Sequence, residues 1–205
     1  MKYRAVDLTG TWIYENMMGN IALALPNDGW LLKNEFKDIH TLGDLKTIQA
    51  VRNVAHRITE ENCVGFTRDI LKHVLGVKGL VWIATTSNLR FVVPKSLGAT
   101  TWKLRGHGIH IDSMYNLATN NKNIWIPLTD VLPNNTVELY LKQDSSLRFG
   151  GKAGLAHLFD SDIPHTTILE DSCIHTRVSL TLRYCLTRPR SREGLKCIKY
   201  RMVLI

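Results

Sequence analysis

Apolar residues recur at two different periods in this chain, and the change of period divides it. Leu42, Leu45, Ile48, Val51, Ala55 and Ile58 fall at helical spacing, and Cys63, Phe66, Ile70, Leu71 and Val74 do so again, which predicts two amphipathic helices. Lys72 and His73 in the last turn, with Gly76 just beyond, give the second helix a basic C-terminus and a left-handed cap. From residue 79 the period becomes two. Residues 80–85, 88–93, 108–114, 123–131, 136–142, 155–159, 177–186 and 198–204 read as strands separated by Gly, Asn, Pro or Ser clusters. The alternation is cleanest in Leu89/Phe91/Val93, Ile124/Ile126/Leu128 and Val137/Leu139/Leu141. Residues 1–40 are mixed. Turn signals at Gly19-Asn20 and Pro26-Asn27-Asp28-Gly29 there suggest short strands or a loose N-terminal cover.

Helices followed by about eight strands predict a mainly β fold, a double-stranded β-helix or cupin-like jelly roll buttressed on one face by the helices. With 205 residues and 44% apolar content, the chain can bury one core as a single domain. Its expected parts are a cover over 1–40, helices over 41–76 and the jelly roll over 79–205. The apolar run Met202-Val203-Leu204-Ile205 suggests a buried last strand or a subunit contact, hence a possible homodimer.

Charge and cysteine usage narrow the setting without naming a function. Lys and Arg outnumber Asp and Glu by 26 to 18, and the excess is concentrated late in the chain. Arg183, Arg188, Arg190, Arg192, Lys196, Lys199 and Arg201 stand against Glu193 alone. Such a stripe attracts nucleic acid, anionic membranes, acidic proteins and phosphorylated substrates alike, or simply faces water. No zinc-finger, RNA-recognition or helix-turn-helix signature accompanies it, so nucleic acid is not the expected partner. Cysteines 63, 173, 185 and 197 lack Cys-x-x-Cys spacing and the density of a secreted disulfide framework, which predicts reduced thiols. No apolar run reaches membrane-spanning length, and residues 1–7 lack an apolar leader core. The expected setting is cytoplasmic, with no membrane partner.

Two stretches carry candidate chemistry. In the strand from Arg177, Val178, Leu180, Leu182 and Tyr184 share one face while Arg177, Ser179, Thr181 and Arg183 share the other. The polar face either meets water or lines an interior that holds an anion, a task suited to the planar guanidinium fork. In His110-Ile111-Asp112, residues at i and i+2 share one face of a strand. A third ligand from a later strand would complete the facial set of two histidines and a carboxylate that holds iron and leaves three positions open. Without that partner, the pair reads as a hydrogen-bonded couple on a polar strand face.

The stretches His110–Tyr115, Ile124–Val131, Phe159–His165 and Thr176–Leu180 together resemble the Fe(II)/2-oxoglutarate-dependent oxygenases, most of all the phytanoyl-CoA-dioxygenase-like enzymes and small oxygenases of antibiotic biosynthesis. The resemblance spans roughly residues 88–186. It implies iron ligands His110, Asp112 and His165, with Arg177 and Ser179 holding the distal carboxylate of 2-oxoglutarate. His165 is preferred on spacing and on the Phe159-x5-His pattern; His157 opens an apolar strand, and His175 stands too close to Arg177 for a strand, turn and returning strand. His107 and His157 are expected to be structural or supporting. Arg90 and Asn88, on the polar face of the preceding strand, are further candidates for contact with the cosubstrate or substrate. Tyr115 and Tyr140 are candidate pocket residues, Trp125 is expected in the core, and the polar connectors 116–122 and 143–154 are candidate lids. A Pro-Gly-Ser-His turn present in many relatives after the strand of Tyr140 is replaced here by Gln143-Asp144-Ser145-Ser146.

The implied activity is hydroxylation of a C–H bond in a small metabolite, using Fe(II), 2-oxoglutarate and O2 and releasing succinate and CO2. Halogenases of similar sequence carry a small residue where this chain has Asp112, so oxygen transfer is favoured. A phosphorylated or carrier-bound substrate would suit the basic stretch. Two other classes stay open on the residues alone: a metal-binding cupin-type enzyme without 2-oxoglutarate, and a non-catalytic module binding through the basic C-terminal patch.

Overall fold

A computed structural model describes residues 3–25, 35–115, 117–142, 145–191, 193 and 197–205. Among the described residues, ten antiparallel strands form two sheets. They are β1 (Tyr3–Asp7), β2 (Leu80–Ala84), β3 (Asn88–Val92), β4 (Lys122–Pro127), β5 (Asn135–Lys142), β6 (Ser145–Arg148), β7 (Leu155–Asp160), β8 (His165–Leu169), β9 (Arg177–Cys185) and β10 (Tyr200–Leu204). The larger sheet runs β1-β7-β4-β9-β2-β10, with β3 also paired to β9, and the smaller runs β6-β5-β8. This is the jelly-roll arrangement expected from the alternating strands. Trp125 and Phe159 from the larger sheet meet Val137 and Leu139 from the smaller one in a core between them.

The helices cover the other face of the larger sheet. Helix α1 (Trp12–Ala22) starts at Thr11, whose hydroxyl accepts from Tyr14 N at 3.2 Å, and buries Ile13, Met17 and Ile21. Gly19-Asn20, read as a turn, lies inside it because this buried stripe continues past the pair. Pro26 to Gly29 fall outside the described residues. Instead of two helices, residues 45–69 form one, α2 (Leu45–Asp69), capped by the Asp44 side chain accepting from Thr47 N at 2.8 Å. Its buried stripe passes through Arg52 and Thr59, and Thr59 interrupts the apolar series between Ile58 and Cys63 without breaking the helix. Thr59 donates to His56 O, and Arg52 donates through Nε and Nη2 to Leu89 O at 2.9 and 2.5 Å, so both are satisfied where they are buried. Helix α2 runs into a wide turn at Ile70–Val74, and Gly76 takes the expected left-handed conformation at φ 63°.

Other expectations also change. Residues 108–114 do not form a strand: a single bridge at His110 is followed by a tight turn over Asp112–Tyr115. The two sheets also contain β1, β6 and β8, which lack an apolar alternation of their own. Ser145 to Arg148, assigned to a lid, are β6 paired on β5. The final apolar run is an exposed edge strand against β2, not a buried one, with Met202 and Leu204 open to solvent. All four cysteines are free, and among the described residues no helix is long and apolar enough to cross a membrane.

Strand β9 sits at the centre of the sheet, paired with β4 on one side and with β3 and β2 on the other. Leu180 on its helix-facing side is fully buried. Leu180→Ala is expected to destabilise the fold by about 2–5 kcal/mol, read as a lower urea midpoint with an unchanged slope.

Candidate metal centre

His110 and His165 are held opposite each other by reciprocal backbone hydrogen bonds, His110 N to His165 O at 3.0 Å and His165 N to His110 O at 2.9 Å. The segment before His110 lies tightly against β8. A Cβ on Gly106, at φ +86°, would come within 2.5 Å of Thr167, so only glycine fits there. Asp112 N then donates to Ser161 O at 3.1 Å, which turns the Asp112 side chain toward the histidines. The expected pairing of ligands on one strand face is therefore replaced by a bridge and a turn, yet the three side chains converge. One ligand atom from each of His110, Asp112 and His165 lies within 4.8 Å of the others. His165 Nε2 is 3.7 Å from Asp112 Oδ1.

Their hydrogen bonds prepare them for a cation. His110 Nδ1 is 2.7 Å from Gly108 O, and His165 Nδ1 is 2.9 Å from Ile163 O. A carbonyl can only accept, so each Nδ1 carries the proton and each Nε2 keeps its lone pair. Burial lowers the pKa of both rings, and they are neutral at neutral pH. Burial opposes ionisation of Asp112, but Arg183, His165 and a hydrogen bond from Asn123 together hold its pKa below the usual carboxylate range. Two neutral imidazoles and a carboxylate form a donor set suited to Fe(II).

Asn123 was not apparent from sequence. Its Nδ2 donates to Asp112 Oδ2 at 2.5 Å, while Asn121 Nδ2 donates to Asn123 Oδ1 at 3.2 Å and the Tyr200 hydroxyl donates to Asn121 Oδ1 at 3.2 Å. This buried chain fixes the carboxylate that would face the metal. The available signal was an asparagine at an inward position of β4, alternating with Ile124 and Ile126.

The anion side is also inside the barrel. Arg177 is 2% exposed, and its Nε, Nη1 and Nη2 have no hydrogen-bond partner. Its guanidinium lies 5.6 Å from the Trp125 ring centroid. Burial, with the neighbouring Arg90 charge, pulls its pKa down to about 9, so it stays charged at neutral pH. A buried, charged fork of unused donors fits a carboxylate-bearing cosubstrate. Ser179 is buried two residues along, opposite Arg90 and Pro127, but does not line the cleft. Arg90 does line it, together with Asn88, Thr181 and Arg183.

Arg183 was counted in the basic stripe but is buried in the cleft of His110, Asp112 and His165 because its side of the strand faces the barrel interior. Arg188, Arg190, Lys199 and Arg201 are exposed, whereas Arg192 and Lys196 fall outside the described residues. The connector proposed as a lid around residue 120 is tied to that stretch: Thr119 N donates to Arg190 O at 2.9 Å, and Asn120 Nδ2 donates to Arg188 O at 3.0 Å. His157 is structural, bonded to the Tyr3 hydroxyl at 3.0 Å and stacked on Phe149. His175 is remote, near Asp38 and His40. His107 and Tyr115 pack against His110, while Tyr140 donates to Glu138 away from the cleft.

No protein-family model and no curated protein matches the sequence. Solved structures do match its shape. A complex titled as the non-heme monooxygenase ThoJ with nickel aligns over 98% of this chain and 80% of its own, at TM-score 0.54 and 15% identity. The apo form of EctD from S. alaskensis aligns over 97% and 78%, at TM-score 0.54 and 13% identity. EctD with bound Fe aligns over 96% and 83%, at TM-score 0.50 and 14% identity. The chain shares the fold of these structures. Within this fold, the two histidines and aspartate picked out from the sequence form the cluster able to hold a metal among the described residues.

Asp112→Ala is expected to abolish metal binding at micromolar Fe(II). Asn123→Ala should weaken it by about 10–100-fold by freeing the carboxylate. Anaerobic Fe(II) titration checks both, and wild-type affinity in both variants would remove this cluster as the metal site.

Proposed function

We propose that the protein is an Fe(II)/2-oxoglutarate-dependent oxygenase that hydroxylates a C–H bond of a small molecule. The observation that carries this reading is Arg177, a buried guanidinium without hydrogen-bond partners in the same cleft as the facial triad. A metal-binding cupin without a keto acid would leave that charge unexplained. When bound, iron and 2-oxoglutarate supply the redox chemistry: O2 is consumed, the keto acid becomes succinate and CO2, and the second oxygen atom enters the substrate C–H bond.

The chain's own residues have three tasks. His110, His165 and Asp112 would hold the iron through two imidazole nitrogens and a carboxylate oxygen. The carbonyls of Gly108 and Ile163 keep both rings in the required tautomer, and Asn123 keeps the carboxylate aimed. Arg177 would hold the distal carboxylate of the keto acid, with the Trp125 ring centroid 5.6 Å from its guanidinium carbon. The apolar wall of Trp125, Val137 and Phe159 keeps water away from the reacting bond. Retention of Asp112 supports oxygen transfer over halogenation.

Addition of 2-oxoglutarate to the Fe(II)-loaded protein without oxygen should generate a weak visible charge-transfer band. Metal binding without that band would overturn the keto-acid reading. Arg177→Ala should weaken 2-oxoglutarate by about 100-fold, the scale of a lost charge-assisted bidentate contact, while iron affinity stays near wild type. Loss of iron instead would mean that the anion site has been misassigned.

A further inference from the structure

The larger sheet ends in a strand with an open side. β10 pairs with β2 and, among the described residues, with nothing beyond it. Gly79 and Ile205 exchange reciprocal backbone hydrogen bonds, Gly79 N to Ile205 O at 3.0 Å and Ile205 N to Gly79 O at 2.9 Å. An antiparallel ladder alternates such pairs with pairs that make no bond to each other. The register from Leu80↔Leu204 to Ala84↔Tyr200 has no bulge, so Arg201 and Val203 also turn their peptide groups toward β2. Thr85 N donates to Lys199 O at 3.0 Å in the same phase. Tyr200, Met202 and Leu204 are therefore left with an N–H and a C=O each that point away from the sheet.

Natural edge strands are commonly blunted by proline, a bulge or several charges. β10 has neither of the first two, and Arg201 is its one charged residue. Its side chains add an apolar surface to the open backbone. Tyr200, Met202 and Leu204 share a face with Ala84, Trp82 and Leu80, their partners in register. Leu80 is 58% exposed, Met202 53% and Leu204 73%, which makes a contiguous apolar strip and not a scatter of single residues.

A second copy of the same strand, related by a two-fold axis, satisfies all of these groups together. Met202 opposite Met202 brings Tyr200 opposite Leu204 at both ends, so three outward donors and three outward acceptors on each copy form six hydrogen bonds. This register sets Arg201 against Val203. A shift of two residues in either direction loses two of the six bonds, and one of those shifts sets Arg201 directly against Arg201, where like charges repel.

We propose that the chain forms a symmetric dimer through β10, with two of the larger sheets joined edge to edge across an axis at Met202. The apolar strip then runs unbroken from Trp82 through both Met202 side chains to the second Trp82. Six hydrogen bonds correspond to roughly 600–1,200 Å² of interface, the low end for specific complexes, so a dissociation constant of about 1–10 µM is expected. Tyr200, whose hydroxyl bonds Asn121, lies on the paired strand, so the ladder clamps the end of the hydrogen-bonded chain that leads to Asp112.

Sedimentation velocity of the full chain from about 0.5 to 200 µM tests the pairing. Wild type should pass from monomer to dimer and stop there, because a two-fold ladder uses up the edge. Met202→Lys and Met202→Glu should each stay monomeric with melting temperatures near wild type, since the position is exposed and like charges would face each other across the axis. An equimolar mixture of the two variants should dimerise again, with opposite charges now paired. Met202→Pro should be monomeric yet folded, because the nitrogen at 202 does not bond β2. If that variant does not fold, the charge pair decides alone. Wild type that remains monomeric overturns the proposal, and so does growth beyond two subunits, the result of head-to-tail pairing of β10 on the other edge strand, β1. A dimer that survives Met202→Lys overturns the assignment to β10, and a mixture that stays monomeric overturns the register.

Discussion

Strand β9 has no solvent face. Val178, Leu180, Leu182 and Tyr184 enter the core under the helices, while Arg177, Ser179, Thr181 and Arg183 are buried on the side toward the smaller sheet. One strand therefore joins the two demands on the molecule. Its apolar face is stabilised by removal from water, and its charged face acquires strong electrostatics for the same reason. The other strands keep this arrangement dry: β4 occupies one side, β2 and β3 divide the other, and the smaller sheet closes the barrel. The position of His110, Asp112 and His165 follows, because β8 and the bridge at His110 approach the charged face from that smaller sheet.

The two sides of β9 were legible to different degrees. Period-two alternation predicted the strand and its two faces, but it could not distinguish a polar face wet on the surface from one sealed inside. Both have the same pattern. The triad was legible through spacing and resemblance even though one premise failed: His110 and Asp112 converge through a bridge and a turn instead of sharing a strand face. A short separation limits where two side chains can go under several backbone paths. Backbone pairing with His165 selected one of them.

What sequence missed has a common physical origin. α2 was divided because the buried position between Ile58 and Cys63 is Thr59, which a hydrogen bond to the His56 carbonyl satisfies. β6 and β8 were missed because their ladders are made by backbone groups while many of their side chains are polar. Arg183 was assigned to a surface stripe by its neighbours in sequence, although strand alternation separates it from those neighbours in space. Asn123 entered no motif, since its role is defined by the carboxylate it meets. In each case partner identity decided the outcome, and local composition does not encode it.

The hydrogen-bonded chain from Asp112 through Asn123 and Asn121 ends at Tyr200, on a solvent-exposed edge strand. Edge strands fray more readily than central ones. When β10 lifts away, the Tyr200 hydroxyl leaves with it, and the asparagines lose the contact that fixes their amides. The equilibrium between a zipped and an unzipped C-terminal edge is thus thermodynamically linked to the set of a carboxylate deep in the barrel. A cation that prefers the fixed carboxylate must, by the same linkage, tighten that edge.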